Sequence, residues 1–169
     1  MIDRGRRKLF TALSSTVKKG EGAASVVRPP YARDVSLFQT LCPQCESKAC
    51  ASACEEEIIV IGEDGTPTLD FSKRGCTFCD RCAEVCEAGV LDDVTKSHVE
   101  AKIEIDVLKC VAWHQVMCSS CKEPCLEDAI IFLGLFRPQV DMNKCTACGW
   151  CLSVCPTNAI AVIPPKGES

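Results

Sequence analysis

The sequence predicts an α+β chain: two tandem modules of short antiparallel hairpins and short helices, preceded by a basic, partly disordered N-terminal arm. Three observations carry that expectation. Sixteen of the 169 residues are cysteine, and they recur as four groups of four. Brief apolar runs follow each group, and extended stretches precede the later ones. Charge is also unevenly spread: residues 1–33 hold eight Arg or Lys against two acids, whereas residues 34–169 hold 11 against 21. These features divide the chain into a basic arm over 1–35, a first module over 36–92 and a second over 100–165.

The groups are Cys42, Cys45, Cys50, Cys54; Cys76, Cys79, Cys82, Cys86; Cys110, Cys118, Cys121, Cys125; and Cys145, Cys148, Cys151, Cys155. Their first members lie 34, 34 and 35 residues apart, the mark of an internal repeat. The second and fourth groups read C-x2-C-x2-C-x3-C, and Pro156 completes the bacterial ferredoxin run after Cys155. Zinc favours two separated C-x2-C pairs, and disulfides need an oxidising compartment. Three thiolates on one tight loop instead suit three irons of a cubane cluster, with backbone N–H groups turned toward its sulfides. The fourth cysteine, expected at the start of a helix, points away to a neighbouring cluster. The sixteen cysteines are therefore read as ligands of four [4Fe–4S] clusters, and the modules as bacterial-type 2[4Fe–4S] ferredoxin-like units.

The connections suggest which groups pair. Asp64-Gly65 between extended runs is a hairpin signal, and Gly134 separates a similar pair of runs. The stretch Asp92 to His98 is polar, so the boundary falls near residues 90–99. Sequential pairing then joins Cys42, Cys45, Cys50 with Cys86, and Cys76, Cys79, Cys82 with Cys54. In the second module it joins Cys110, Cys118, Cys121 with Cys155, and Cys145, Cys148, Cys151 with Cys125. A nested pairing, first group with fourth and second with third, is the alternative; it occurs in iron–sulfur subunits of molybdenum oxidoreductases. The longer gaps, Cys45-x4-Cys50 and Cys110-x7-Cys118, are expected to bulge outward and to give the clusters unequal potentials.

Other residues receive plainer readings. His114 is a possible substitute ligand, but Cys110 restores both the count and the repeat. Trp150 reads as a hydrophobic lid rather than an electron conduit, Trp113 as packing in the inserted loop, and His98 as solvated. No phosphate loop or nucleophile–base pair is present, so no enzyme activity is expected. The acidic body argues against nucleic-acid binding. Ala129–Phe136, the longest apolar run, is eight residues, far short of the ~18 of a membrane span. Arg6-Arg7 resembles a twin-arginine export signal, but the following apolar stretch is short and broken by Thr11. A cytoplasmic location is expected.

The chain resembles the NapF family, ferredoxin-type accessory proteins of periplasmic nitrate reductase systems. The resemblance runs through Arg6-Arg7, Val27-Arg28-Pro29-Pro30-Tyr31, Leu37-Phe38, the first two groups, the x7 gap of the third, Ala129-Ile130-Ile131-Phe132, and the fourth group. Cys45-x4-Cys50 departs from the family pattern. The resemblance implies a cytoplasmic multi-cluster protein that binds the precursor of the catalytic molybdenum subunit and assists its maturation before export. Electron transfer to a reductase from an unknown donor, and permanent membership of a larger oxidoreductase, remain alternatives. The arm and Arg28-Pro29-Pro30-Tyr31 are the candidate partner contacts, since Pro-Pro stiffens an extended segment another protein can read.

Overall fold

The computed structural model describes residues 26–92, 94 and 97–165. Most of the basic arm, residues 1–25, lies outside the described residues, as does any disorder expected there. The described chain is built from one-turn helices and short strands: α1 (Leu37–Thr40), α2 (Ala49–Ser52), β1 (Ile59–Ile61), β2 (Pro67–Leu69), α3 (Arg81–Glu84), β3 (Lys102–Ile105), β4 (Ile130–Phe132), β5 (Pro138–Val140), α4 (Trp150–Ser153) and β6 (Ile160–Ile163). Among the described residues no helix is long and apolar enough to cross a membrane.

Each half centres on a hairpin. β1 pairs antiparallel with β2, turning through Asp64-Gly65, and β4 pairs with β5 through Gly134. The alternating pattern puts Ile59 and Leu69 inward and leaves Val60 facing out. Asp64 fixes the first turn by accepting hydrogen bonds from the Thr66 N–H and hydroxyl.

The helices α2, α3 and α4 hold Cys50, Cys82 and Cys151 and stop before Cys54, Cys86 and Cys155. The fourth cysteine of these groups thus follows a helix, correcting the expectation that it begins one. The cause recurs in all four repeats. Glu57, Gly89, Asp128 and Asn158, each three residues past a fourth cysteine, have positive φ. Each donates its N–H to that cysteine's carbonyl, a tight turn that prevents a helix from starting at the cysteine. The third group forms turns in place of a helix: Pro124 removes an N–H and disfavours helical geometry at Glu123.

The halves close differently. In the second, β3 and β6 pair antiparallel over four residues, Lys102↔Ile163 to Ile105↔Ile160. In the first, the segment Val27–Arg33 takes the place of β3, yet its pairing with the 90–92 stretch is a single bridge, Ala32↔Leu91, flanked by Arg33 N–H to Val90 O and Asp92 N–H to Tyr31 O. Pro29 and Pro30 have no N–H to offer a ladder. Side chains replace it. Arg28, 8% exposed, donates to Thr66 Oγ1 (2.6 Å) and Pro67 O (2.8 Å), and its guanidinium lies 5.2 Å from the Phe38 ring centroid. The expectation that Arg28-Pro29-Pro30-Tyr31 is a free partner contact is therefore corrected: all four residues are buried.

The halves meet through their second and fourth groups. Cys76 N–H donates to Cys148 O at 2.6 Å, and Val99 N–H to Thr146 O at 2.9 Å. Trp150 Nε1–H donates to Cys76 O at 3.2 Å. The Trp150 ring lies so close to Gly75 that a Cβ there would come within 2.6 Å of it, and one on Gly149 within 2.4 Å of Phe71. Trp150 is thus a wedge between the halves rather than a lid over its own loop.

Candidate iron–sulfur sites

None of the sixteen cysteines forms a disulfide, and they converge in quartets. One cavity is lined by Cys42, Cys45, Cys50 and Cys86. A second takes Cys54, Cys76, Cys79 and Cys82. A third takes Cys110, Cys118, Cys121 and Cys155. Cys145, Cys148, Cys151 and Cys125 form the fourth set, within electrostatic reach of one another. Each set combines three thiols of one group with the last thiol of its neighbour, the sequential arrangement rather than the nested one.

The loops turn their backbone inward. In the second group Phe78 and Asp80 have φ of 52° and 60°; in the fourth, Ala147 and Gly149 have φ of 53° and 86°. Left-handed geometry costs a non-glycine residue roughly 1–2 kcal/mol. Residues so placed between successive cysteines direct N–H groups at a common centre, a nest for negative charge. Phe78 N–H reaches Cys76 Sγ at 3.4 Å, and Leu91, Ala129 and Ala159 N–H reach Cys86, Cys125 and Cys155 Sγ at 3.3–3.4 Å. Ser47, Ser120 and Thr157 place hydroxyls 3.6, 3.7 and 3.8 Å from Cys45, Cys118 and Cys155 Sγ.

Burial pushes Cys76 and Cys121 up to about 11, and Cys82 and Cys151 up to about 12, with neighbouring thiols adding to the rise. Cys45 moves down, because Ser47 bonds its sulfur. Thiols crowded this way must lose protons to bind metal. Among the described residues, however, no group of three or more His, Cys, Asp or Glu is arranged to hold a single metal ion. Four thiols spread around a cavity, with inward N–H groups, fit a bulky anionic iron–sulfide core better than a lone zinc ion.

The irregular loops keep their thiols in place. In the Cys45-x4-Cys50 gap, Lys48 adopts φ 44° and its Nζ donates to Gly65 O at 2.8 Å and to Cys42 O. In the x7 gap, a 3-10 turn over Val111–His114 is closed by Val116 N–H to Val111 O. His114 is exposed, its Nε2 3.1 Å from Leu108 O, and it does not line the third cavity, whereas Cys110 does. Trp113 packs under Arg137 and donates to Pro138 O. A site residue that spacing alone did not suggest is Tyr31, which lines the second cavity.

Family models match the first two cysteine groups and the fourth. Residues 41–90 match the 4Fe-4S dicluster domain family, and residues 138–161 the 4Fe-4S binding domain family. The ferredoxin-type protein NapF of Escherichia coli (strain K12) is 32% identical over 163 residues, spanning 94% of each chain. The chain belongs to the NapF family of ferredoxin-type proteins. NapF of Haemophilus influenzae is 35% identical, covering 92% of this chain and 89% of the relative. The methylamine utilization ferredoxin-type protein MauM of Methylobacillus flagellatus is 30% identical over 84% of this chain and 70% of its own. The chain thus carries two 4Fe-4S ferredoxin-type domains.

Proposed function

We propose that this chain is a cytoplasmic four-cluster protein that binds the precursor of the catalytic subunit of periplasmic nitrate reductase and assists its maturation before export. The observation that carries the cluster part is the convergence of sixteen thiols into four quartets. Cys42, Cys45, Cys50 and Cys86 would hold one cluster, and Cys54, Cys76, Cys79 and Cys82 the next. Cys110, Cys118, Cys121 and Cys155 would hold a third, and Cys125, Cys145, Cys148 and Cys151 the fourth. Each [4Fe–4S] cluster, when bound, supplies a one-electron redox centre. The chain's residues hold it in low dielectric, donate hydrogen bonds to its sulfurs and set its exposure to water.

Support for partner binding comes from the second half. Leu108 and Met117 are each 80% exposed and Leu126 is 91% exposed, with Leu133 and Leu135 also uncovered. Exposed apolar side chains in such number suit a protein surface. The basic arm remains the second candidate contact. The test is affinity capture of the anaerobic, as-purified protein with identification of what is bound. Capture of the precursor subunit, lost on removing residues 1–25 or on L108E/M117E substitution, supports the proposal. An absence of precursor from the full-length capture overturns the maturation role.

A second reading, electron relay to a reductase, is favoured by the order of the quartets. Cys50 and Cys82 are electrostatic neighbours in the first half, Cys121 and Cys151 in the second, and Cys76 adjoins Cys148 across the junction. Rapid, reversible reduction by a physiological donor, and a need for the protein after the reductase is mature, would favour this reading.

A further inference from the structure

Tyr31 is the chain's only tyrosine. The residue is 2% exposed, and its hydroxyl, although near Asp80, makes no hydrogen bond of ordinary geometry among the described protein atoms. A buried hydroxyl left unpaired costs about 1–3 kcal/mol. Its backbone adds a second cost, since φ is +72° and a non-glycine residue pays roughly 1–2 kcal/mol there. Two unfavourable features at one residue point to a role beyond packing. The ring lines the cavity formed by Cys54, Cys76, Cys79 and Cys82.

Resting on the cluster reading of that cavity, we infer that the Tyr31 hydroxyl donates a hydrogen bond to sulfur at the second quartet and tunes that site alone. A tyrosine hydroxyl is protonated at neutral pH and so is available as a donor. A hydrogen bond to sulfur draws off negative charge and favours the reduced state, raising the potential. The architecture explains how the donor is delivered. Pro29-Pro30 fixes the backbone direction, Arg28 pins the segment to Thr66 and Pro67, and Tyr31 then turns into the cavity. Asp80 is the competing acceptor.

The test uses the anaerobically purified holoprotein, with iron content measured on every sample. Tyr31→Phe removes the donor while keeping the ring. The expected result is unchanged iron and a more negative potential for one cluster, the other transitions staying in place. Uniform incorporation of 3-fluorotyrosine alters Tyr31 alone and makes the phenol a stronger donor, so the same transition should move to more positive potential. The fluorinated protein decides the matter if the Phe variant fails to load iron. Potentials that are unmoved in the fluorinated protein overturn the inference. So does a shift of the same transition in Asp80→Asn of like sign and size, with none in Tyr31→Phe. A parent protein without iron would instead overturn the cluster reading itself, so the two failures are distinguishable.

Discussion

The two halves of the molecule repeat one plan but close it by different means. In the second half, β3 and β6 form a four-residue antiparallel ladder. In the first, two prolines stand where that ladder would run, and charged side chains take over. Arg28 ties the segment to Thr66 and Pro67, Lys48 ties the first cysteine loop to the hairpin turn, and surface pairs such as Arg81–Glu55 (2.5 Å) and Arg74–Glu56 (3.3 Å) brace the rim. Both halves expose apolar side chains, but the most exposed among the described residues, Leu108, Met117, Leu126 and Leu135, all lie in the second. A cysteine scaffold can thus be closed by backbone or by side chains, and side-chain closure makes it depend on single residues.

The largest effect that would break this comparison is expected from Arg28→Ala. It removes a buried cation together with two hydrogen bonds and the contact with Phe38, and should destabilise the first half by about 3 kcal/mol. Hydrogen exchange should rise over the first half and stay level at β3–β6; equal loosening of both halves would contradict the asymmetry. Lys48→Met should cost about 1–2 kcal/mol by removing the Lys48 donor from the Gly65 carbonyl and leaving the Cys42 carbonyl with only the Cys45 N–H, read by denaturant unfolding. Its effect should fall on the first hairpin.

A smaller effect sharpens the comparison from the other side. Trp113→Phe in the second half loses the bond to Pro138 O and weakens the contact with Arg137, a cost of about 1 kcal/mol. The ladder should limit its spread. The smallest effect concerns pH. The Thr66 backbone N–H, then its hydroxyl, hold the Asp64 carboxyl below its ordinary range. Its folded pKa is depressed, so its contribution to stability is present above the unfolded value near pH 4 and is lost as pH falls through the folded value. Asp64→Asn should flatten that acid limb slightly, and only in the first half.

Much of this was legible in the sequence. The 34- and 35-residue period, Asp64-Gly65 and Gly134 place the hairpins and favour the sequential cysteine sets over the nested ones. Arg28-Pro29-Pro30-Tyr31 was misleading for a physical reason. An extended Pro-Pro segment beside a cation has the composition of an exposed recognition strand, and the groups that bury it, Thr66 and Leu91, are distant in sequence. The wedge role of Trp150 was hidden similarly, because its acceptor on Cys76 belongs to the other half. The left-handed turn after each fourth cysteine leaves a compositional trace at Gly89, Asp128 and Asn158, but none at Glu57.

Iron and acid-labile sulfide counted on anaerobically purified protein test the central assignment most directly. Four filled quartets require about sixteen iron atoms per chain, matched by sulfide, with a brown colour that bleaches on reduction. A colourless protein holding zinc, or no metal at all, would contradict it.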